Sequence, residues 1–122
     1  MANIFIKSLY RKELTMFFFY QNIAVEPAGE GVTRKVLAHG GTMMMVEVCF
    51  QAGAIGSLHN HPHEQSTYVK SGVFDFTIGD ETHRVSAGDT LYKKPDVMHG
   101  CVCVEAGTLI DVFTPQREDF IS

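Results

Sequence analysis

Residues 53–72 read GAIGSLHNHPHEQSTYVKSG, and residues 88–99 read GDTLYKKPDVMH. The polar side chains that stand out are His59, His61 and Gln65 in the first stretch and His99 in the second. Side chains on a strand alternate with period 2, so two histidines one residue apart face the same way. A third imidazole arriving from a distant strand then puts three nitrogen donors on one wall of a β-barrel. Neutral imidazole is the commonest metal ligand, and a set of three suits zinc, iron, nickel or copper. These two stretches predict a metal-holding barrel.

The rest of the chain agrees with that architecture. Short runs with strand patterning fall at 17–21, 33–38, 43–51, 57–61, 66–70, 73–78, 81–85, 90–93, 100–104 and 109–114. Gly, Asp, Asn and Ser punctuate them: HGG at 39–41, SG at 71–72, GDE at 79–81, AGD at 87–89 and EAG at 105–107. Many short strands at regular spacing read as an all-β sandwich or barrel. The clearest hairpin spans 73–85, with Gly79-Asp80 at its turn. Only the tail, 116–120, has a helical pattern. No internal repeat or low-complexity tract interrupts the chain, and 122 residues make one domain able to bury a core. We take 16–122 as that domain and 1–15 as an N-terminal extension, either an edge strand or disordered.

Composition narrows the partners. The net charge is −4 and the basic residues are scattered, with Arg11-Lys12, Arg34-Lys35 and Lys93-Lys94 as pairs rather than patches. Nothing here advertises nucleic acid or an anionic membrane. The longest N-terminal apolar run, 16–20, is shorter than the ~7–15 residues of a signal-peptide core and far below the ~20 of a spanning helix. Three cysteines is an odd number, and Cys101 and Cys103 lie two apart on one strand, so a disulfide framework is not expected. A reducing cytoplasm fits.

The spacing of the histidines and glycines resembles the cupin family. Its first motif runs G-x5-H-x-H-x3,4-E-x6-G, and Gly53, His59, His61 and Gly72 fall on it, with Gln65 at the acidic position. Its second motif sets a glycine eleven residues before a histidine, as Gly88 and His99 are set here, with Pro95 one place off the usual proline. The resemblance implies a single-domain cupin, a double-stranded β-helix or jelly-roll barrel, with the metal on His59, His61, Gln65 and His99. A narrower similarity, carried by MFFFYQ, HNHPHEQSTYVKSG, FDFTIGDE and LIDVFTPQREDF, is to the KdgF-type cupins of pectin and alginate breakdown. Those proteins are taken to linearise 4,5-unsaturated uronates and use Gln where other cupins use Glu.

Neutral Gln65 leaves a divalent ion uncompensated by its ligands, which makes it a stronger Lewis acid that favours a carboxylate or enolate oxygen. Parity assigns Glu64 to the opposite face. His63 follows Pro62 and is read as rim; His39 and His83 lie beside turns and are read as solvent-facing. On the last strand Leu109, Asp111 and Phe113 share one face, while Ile110 and Val112 share the other. An aspartate inside an apolar barrel either has a function or pairs with a cation, for which Arg34 and Arg117 are candidates. The resemblance implies a site role for Asp111 and Phe113; Phe113 reads equally well as core. Arg34 and Arg117 are the candidates for a carboxylate clamp, or else surface charge. Tyr68 and Tyr92 are candidate wall residues, Cys101 and Cys103 share the His99 face as small packing residues, and the methionines at 43–45 read as core filler.

The expected function is metal-dependent ring opening and ketonisation of a 4,5-unsaturated uronate to the linear 5-keto-4-deoxyuronate. The expected cofactor is one divalent ion (Ni, Zn, Fe, Mn or Cu), the substrate a small sugar acid, and the assembly a homodimer paired through the edge strand at 17–21. Asp111, Phe113 and Arg117 carry the catalytic reading. A metal-dependent cupin dioxygenase and a non-catalytic sugar- or effector-binding cupin are the alternatives.

Overall fold

The computed structural model describes residues 16–121. Eight strands follow a single 3₁₀ turn at Tyr20–Asn22: β1 (Glu26–Pro27), β2 (Val32–Gly40), β3 (Met43–Phe50), β4 (Ile55–His59), β5 (Glu64–Ile78), β6 (Glu81–Ser86), β7 (Thr90–Lys93) and β8 (His99–Thr114). One helical turn, α1 (Glu118–Ile121), closes the described chain. The extension 1–15 lies outside the described residues.

Two long strands organise everything else. β5 and β8 pair antiparallel along almost their whole length, from Glu64↔Thr114 to Ile78↔His99. The first half of β5 takes β7 on its other side, and the second half takes β6. The early part of β8 takes β4, and the late part takes β3, with β2 and β1 beyond it. All eight strands therefore belong to one antiparallel sheet, which the two long strands carry round into a jelly roll.

Sequence punctuation at 71–72 and 105–107 suggested turns; both long strands instead run through these points. The reason is a bend in which two glycines touch. A Cβ on Gly72 would lie 2.5 Å from Gly107 Cα, and one on Gly107 would lie 2.1 Å from Ser71 O. The register of β5 against β8 shifts between Val69 and Phe74, so the glycines mark bulges that curl the strands. The hairpin between β5 and β6 turns at Gly79-Asp80 as expected.

Alternation along the long strands builds the core. Val69, Phe74 and Phe76 of β5 meet Cys101, Cys103 and Leu109 of β8, with Phe50 edge-on to Phe74 at 5.3 Å. A smaller cluster joins Met44, Val46 and Phe113. Met44 is buried while Met43 and Met45 are exposed, as alternation requires. The same inward face continues from Val69 into Thr67 and Gln65, and from Leu109 into Asp111. One end of the barrel is thus apolar and the other polar.

The run at 17–21 is not a strand. Its residues lack a polar alternation that would insist on a register. The chain turns at Tyr20–Asn22, and Tyr20 is tethered by its hydroxyl, which donates to Glu47 at 2.7 Å. Among the described residues no helix is long and apolar enough to cross a membrane.

Candidate metal centre and cavity

His59 ends β4, His99 begins β8, and the two are register partners on adjacent strands. His61 is not on a strand: β4 stops at His59, and 60–63 is an irregular connection ahead of β5. It converges by another route. The His61 carbonyl accepts from Asp96 N at 2.8 Å, and Asn60 Nδ2 donates to Asp96 O at 3.3 Å. Asp96 has φ 67, a left-handed conformation that Asp tolerates better than most residues. This turn stitches the two histidine-bearing segments together.

The three imidazoles pack ring against ring, with centroids 4.5 Å (His59–His99), 4.9 Å (His61–His99) and 5.5 Å (His59–His61) apart. Their ligand nitrogens all lie within 4.8 Å of one another. Each Nδ1 faces a backbone carbonyl: Ser57 O at 2.7 Å, His63 O at 3.1 Å and Val97 O at 3.0 Å. A carbonyl only accepts, so these contacts favour the Nδ1–H tautomer and leave each Nε2 with a free lone pair. Burial, seconded by the charge of Lys93, lowers His99 to about 4. Burial also lowers His61. Both rings are held neutral, the form that ligates.

Gln65 supplies the test of whether a cation fits. Its Oε1 lies 2.9 Å from His61 Nε2, while His61 Nδ1 faces the His63 carbonyl. A neutral ring has one proton for these two acceptors, so one contact sets lone pair against lone pair whichever tautomer is chosen. A divalent ion shared by nitrogen and oxygen removes the conflict.

Next to the histidines is a cavity of about 980 Å³, whose wall includes His59, Gln65, Lys93, His99, Asp111 and Arg117. His61 is buried just off that wall, its ring against Phe113 at 5.7 Å. Phe113 is core: it packs with Met44 and Val46, and edge-on to Phe120 at 5.9 Å, yet it also borders the cavity. Arg117 lies on Phe113 and Phe120, at 5.2 and 4.3 Å, and forks onto Asp119 at 3.1 and 2.9 Å. Arg34 also lies over Phe120, 3.8 Å from its centroid, and bonds Glu26 at 3.2 Å. Both arginines border the cavity.

Neither arginine is the partner of Asp111. Thr67 donates to Asp111 Oδ1 at 2.5 Å, and Lys93 Nζ donates to the same Thr67 oxygen at 2.6 Å. Lys93 is 2% exposed, and its ammonium also lies 4.6 Å from the Phe76 ring centroid. Desolvation lowers the Lys93 pKa, opposed by the charge of Asp111. Sequence reading passed over both residues, counting Lys93 as half of a scattered basic pair. A signal was available: Thr67 has the parity of Gln65, and Lys93 has the parity of Leu91 in TLYK.

The remaining candidates divide. Glu64 faces out, as expected, and accepts the Tyr92 hydroxyl. Tyr68 and Tyr92 are exposed on that outer face and do not line the cavity. His63 packs edge-on against His61 at 5.3 Å, with its Nδ1 buried and unpaired. His83 is exposed, and half-buried His39 packs on Phe18. Cys49, Cys101 and Cys103 are all free; Cys101 touches the cavity and its thiol is pushed up to about 11 by burial.

Residues 46–113 match the Cupin domain family. The pectin degradation protein KdgF of Dickeya dadantii (strain 3937) is 38% identical over 107 residues, covering 86% of this chain and 97% of the relative. Among solved structures, an RmlC-like cupin from Shewanella frigidimarina superposes with a TM-score of 0.83 at 38% identity, over 87% of this chain and 96% of that one. KdgF from Halomonas sp. superposes at 0.82 and 35% identity, over 87% and 98%. With the jelly roll and the three converging histidines already in view, these likenesses fix the family: the chain is a cupin and belongs with the KdgF proteins.

Proposed function

We propose that the chain is an enzyme of uronate metabolism that opens a 4,5-unsaturated uronate and ketonises it to the linear 5-keto-4-deoxyuronate. The observation that carries this reading is the composition of one cavity wall. It combines His59, Gln65 and His99 with a carboxylate, Asp111, and a guanidinium, Arg117. Kinship with a pectin degradation protein supports the substrate class.

His59, His61, Gln65 and His99 would hold one divalent ion. That ion, when bound, supplies positive charge for the substrate carboxylate and the enolate oxygen that develops at C5, and such stabilisation is usually the largest catalytic contribution. Opening the hemiacetal breaks the bond between C1 and the ring oxygen, freeing an aldehyde at C1 and an enol at C5. Ketonisation moves the enol proton's equivalent to C4, so the reaction is an isomerisation that needs no redox partner. Asp111 carries that proton as general acid and base, a role worth roughly 10²–10⁴-fold. Arg117, whose Nε and Nη2 hold Asp119, turns its remaining N–H groups to the substrate carboxylate. Phe113 presents apolar surface to the sugar while its packing keeps His61 in place. Three free cysteines, two of them buried, suit a cytoplasmic setting.

The test is Asp111→Asn assayed with metal content measured in the same sample. Turnover reduced by at least two orders of magnitude at full metal content supports the assignment. Turnover at the unsubstituted rate would remove Asp111 from the proton path.

A further inference from the structure

Gln65 can face the histidines with either end of its amide, and the two ends differ in kind: one is a metal ligand and the other is a donor that repels a cation. The hydrogen bonds behind it decide between them. Thr67 Oγ1 donates to Asp111 Oδ1 at 2.5 Å, and that contact consumes the single proton of the Thr67 hydroxyl. The hydroxyl oxygen is left with two lone pairs. Lys93 Nζ takes one at 2.6 Å, and Gln65 Nε2 takes the other at 3.3 Å. Every donor and acceptor position of Thr67 is then used.

Turning the amide over would bring Gln65 Oε1 against a hydroxyl oxygen with no proton left to give. It would also point the NH₂ at His61 Nε2. Thr67, Lys93, Asp111 and Gln65 are each less than a tenth exposed, so such a mismatch is costly. Neighbouring strands fix the geometry: Gln65 and Thr67 alternate on β5, Lys93 is the register partner of Gln65 on β7, and Asp111 is the register partner of Thr67 on β8.

We propose that Thr67, fixed in turn by Asp111, is a positioning residue that holds the Gln65 carbonyl oxygen toward the three histidines and thereby sets the affinity of the site for divalent metal. The proposal rests on the metal reading above, and extends it from the ligands to the groups that orient one of them. It also connects two parts of the site: the carboxylate proposed to move the proton is the same one that fixes the polarity of the amide.

The experiment is a Co²⁺ titration of the full, metal-stripped chain, with affinity read by competition against a chelating indicator and the coordination read from the visible cobalt bands. Thr67→Val keeps the shape but removes the hydroxyl, Thr67→Ala removes it with less bulk, and Thr67→Ser keeps the hydroxyl. Melting of each metal-free variant reports its fold separately. We expect Thr67→Val to bind Co²⁺ about 10–100-fold more weakly, the range typical when an outer partner of a ligand is lost. Its cobalt bands should shift, Thr67→Ala should weaken binding likewise, and Thr67→Ser should restore both affinity and bands. Unsubstituted affinity and bands in folded Thr67→Val, or in Thr67→Ala where Thr67→Val does not fold, would overturn the proposal while leaving the metal site standing. No Co²⁺ binding by the unsubstituted chain would overturn both.

Discussion

Asp111→Asn keeps the shape of the side chain and an oxygen for the Thr67 hydroxyl, but removes the negative charge that faces Lys93. Both charged groups contact the same Thr67 oxygen, at 2.6 and 2.5 Å, and both are buried. Unit charges about 5 Å apart attract by about 3 kcal/mol at an effective dielectric near 20. Removing one partner of a buried pair typically costs about 3–5 kcal/mol, because the other charge is left uncompensated. We therefore expect Asp111→Asn to lower the unfolding free energy by about 3 kcal/mol, a large share of the roughly 5–15 kcal/mol a domain has. Since the cost resides in the orphaned ammonium, adding Lys93→Met should recover most of it. The assay is urea unfolding of the unsubstituted chain, both single variants and the double variant. A chelator is present throughout so that metal binding does not contribute. Asp111→Asn within about 0.5 kcal/mol of the unsubstituted chain, with additive effects in the double variant, would refute the pairing.

The other predictions concern separate parts of the molecule. Gly107→Ala should abolish folding, seen as loss of the near-ultraviolet dichroism, because its Cβ would sit 2.1 Å from Ser71 O. Gly53→Ala, at φ +85 but in open space, should cost only about 1–2 kcal/mol of backbone strain. The Cys101 thiol ionises near 9.0 when unfolded and near 11 when folded, so its contribution to stability is complete below pH 9 and is lost as the pH rises toward 11. Cys101→Ala should flatten that part of the pH–stability curve, measured by urea midpoints at pH 8 and above 10. Arg117→Ala should reduce kcat/KM for an unsaturated uronate about 10–100-fold, the equivalent of a lost charged hydrogen bond of ~1.5–3 kcal/mol. Its metal content should not change.

Much of this was legible from spacing. His59, His61 and His99 come together as the two motif stretches foretold, and the inward parity of Leu109, Asp111 and Phe113 holds. The route differs for His61, which reaches the cluster through a loop pinned by Asp96 rather than through strand alternation. The glycines at 72 and 107 misled because turn chemistry and bulge chemistry use the same residue; only the close approach of two backbones separates them. The apolar run at 17–21 looked like an edge strand because hydrophobicity alone does not specify pairing. Lys93 was missed for a different reason. A charged residue beside another charge reads as surface, and what overrides that reading is a carboxylate from another strand that a linear pattern does not reveal.

The most direct test of the central claim pairs two readings on one purified sample. Elemental analysis gives metal per chain, and the decay of the enol-ether absorbance of 4,5-unsaturated galacturonate gives turnover, with His99→Ala as the control. The account predicts close to one divalent ion per chain and rapid decay that disappears with His99. A chain that holds its metal yet leaves the substrate decaying no faster than in buffer would contradict it.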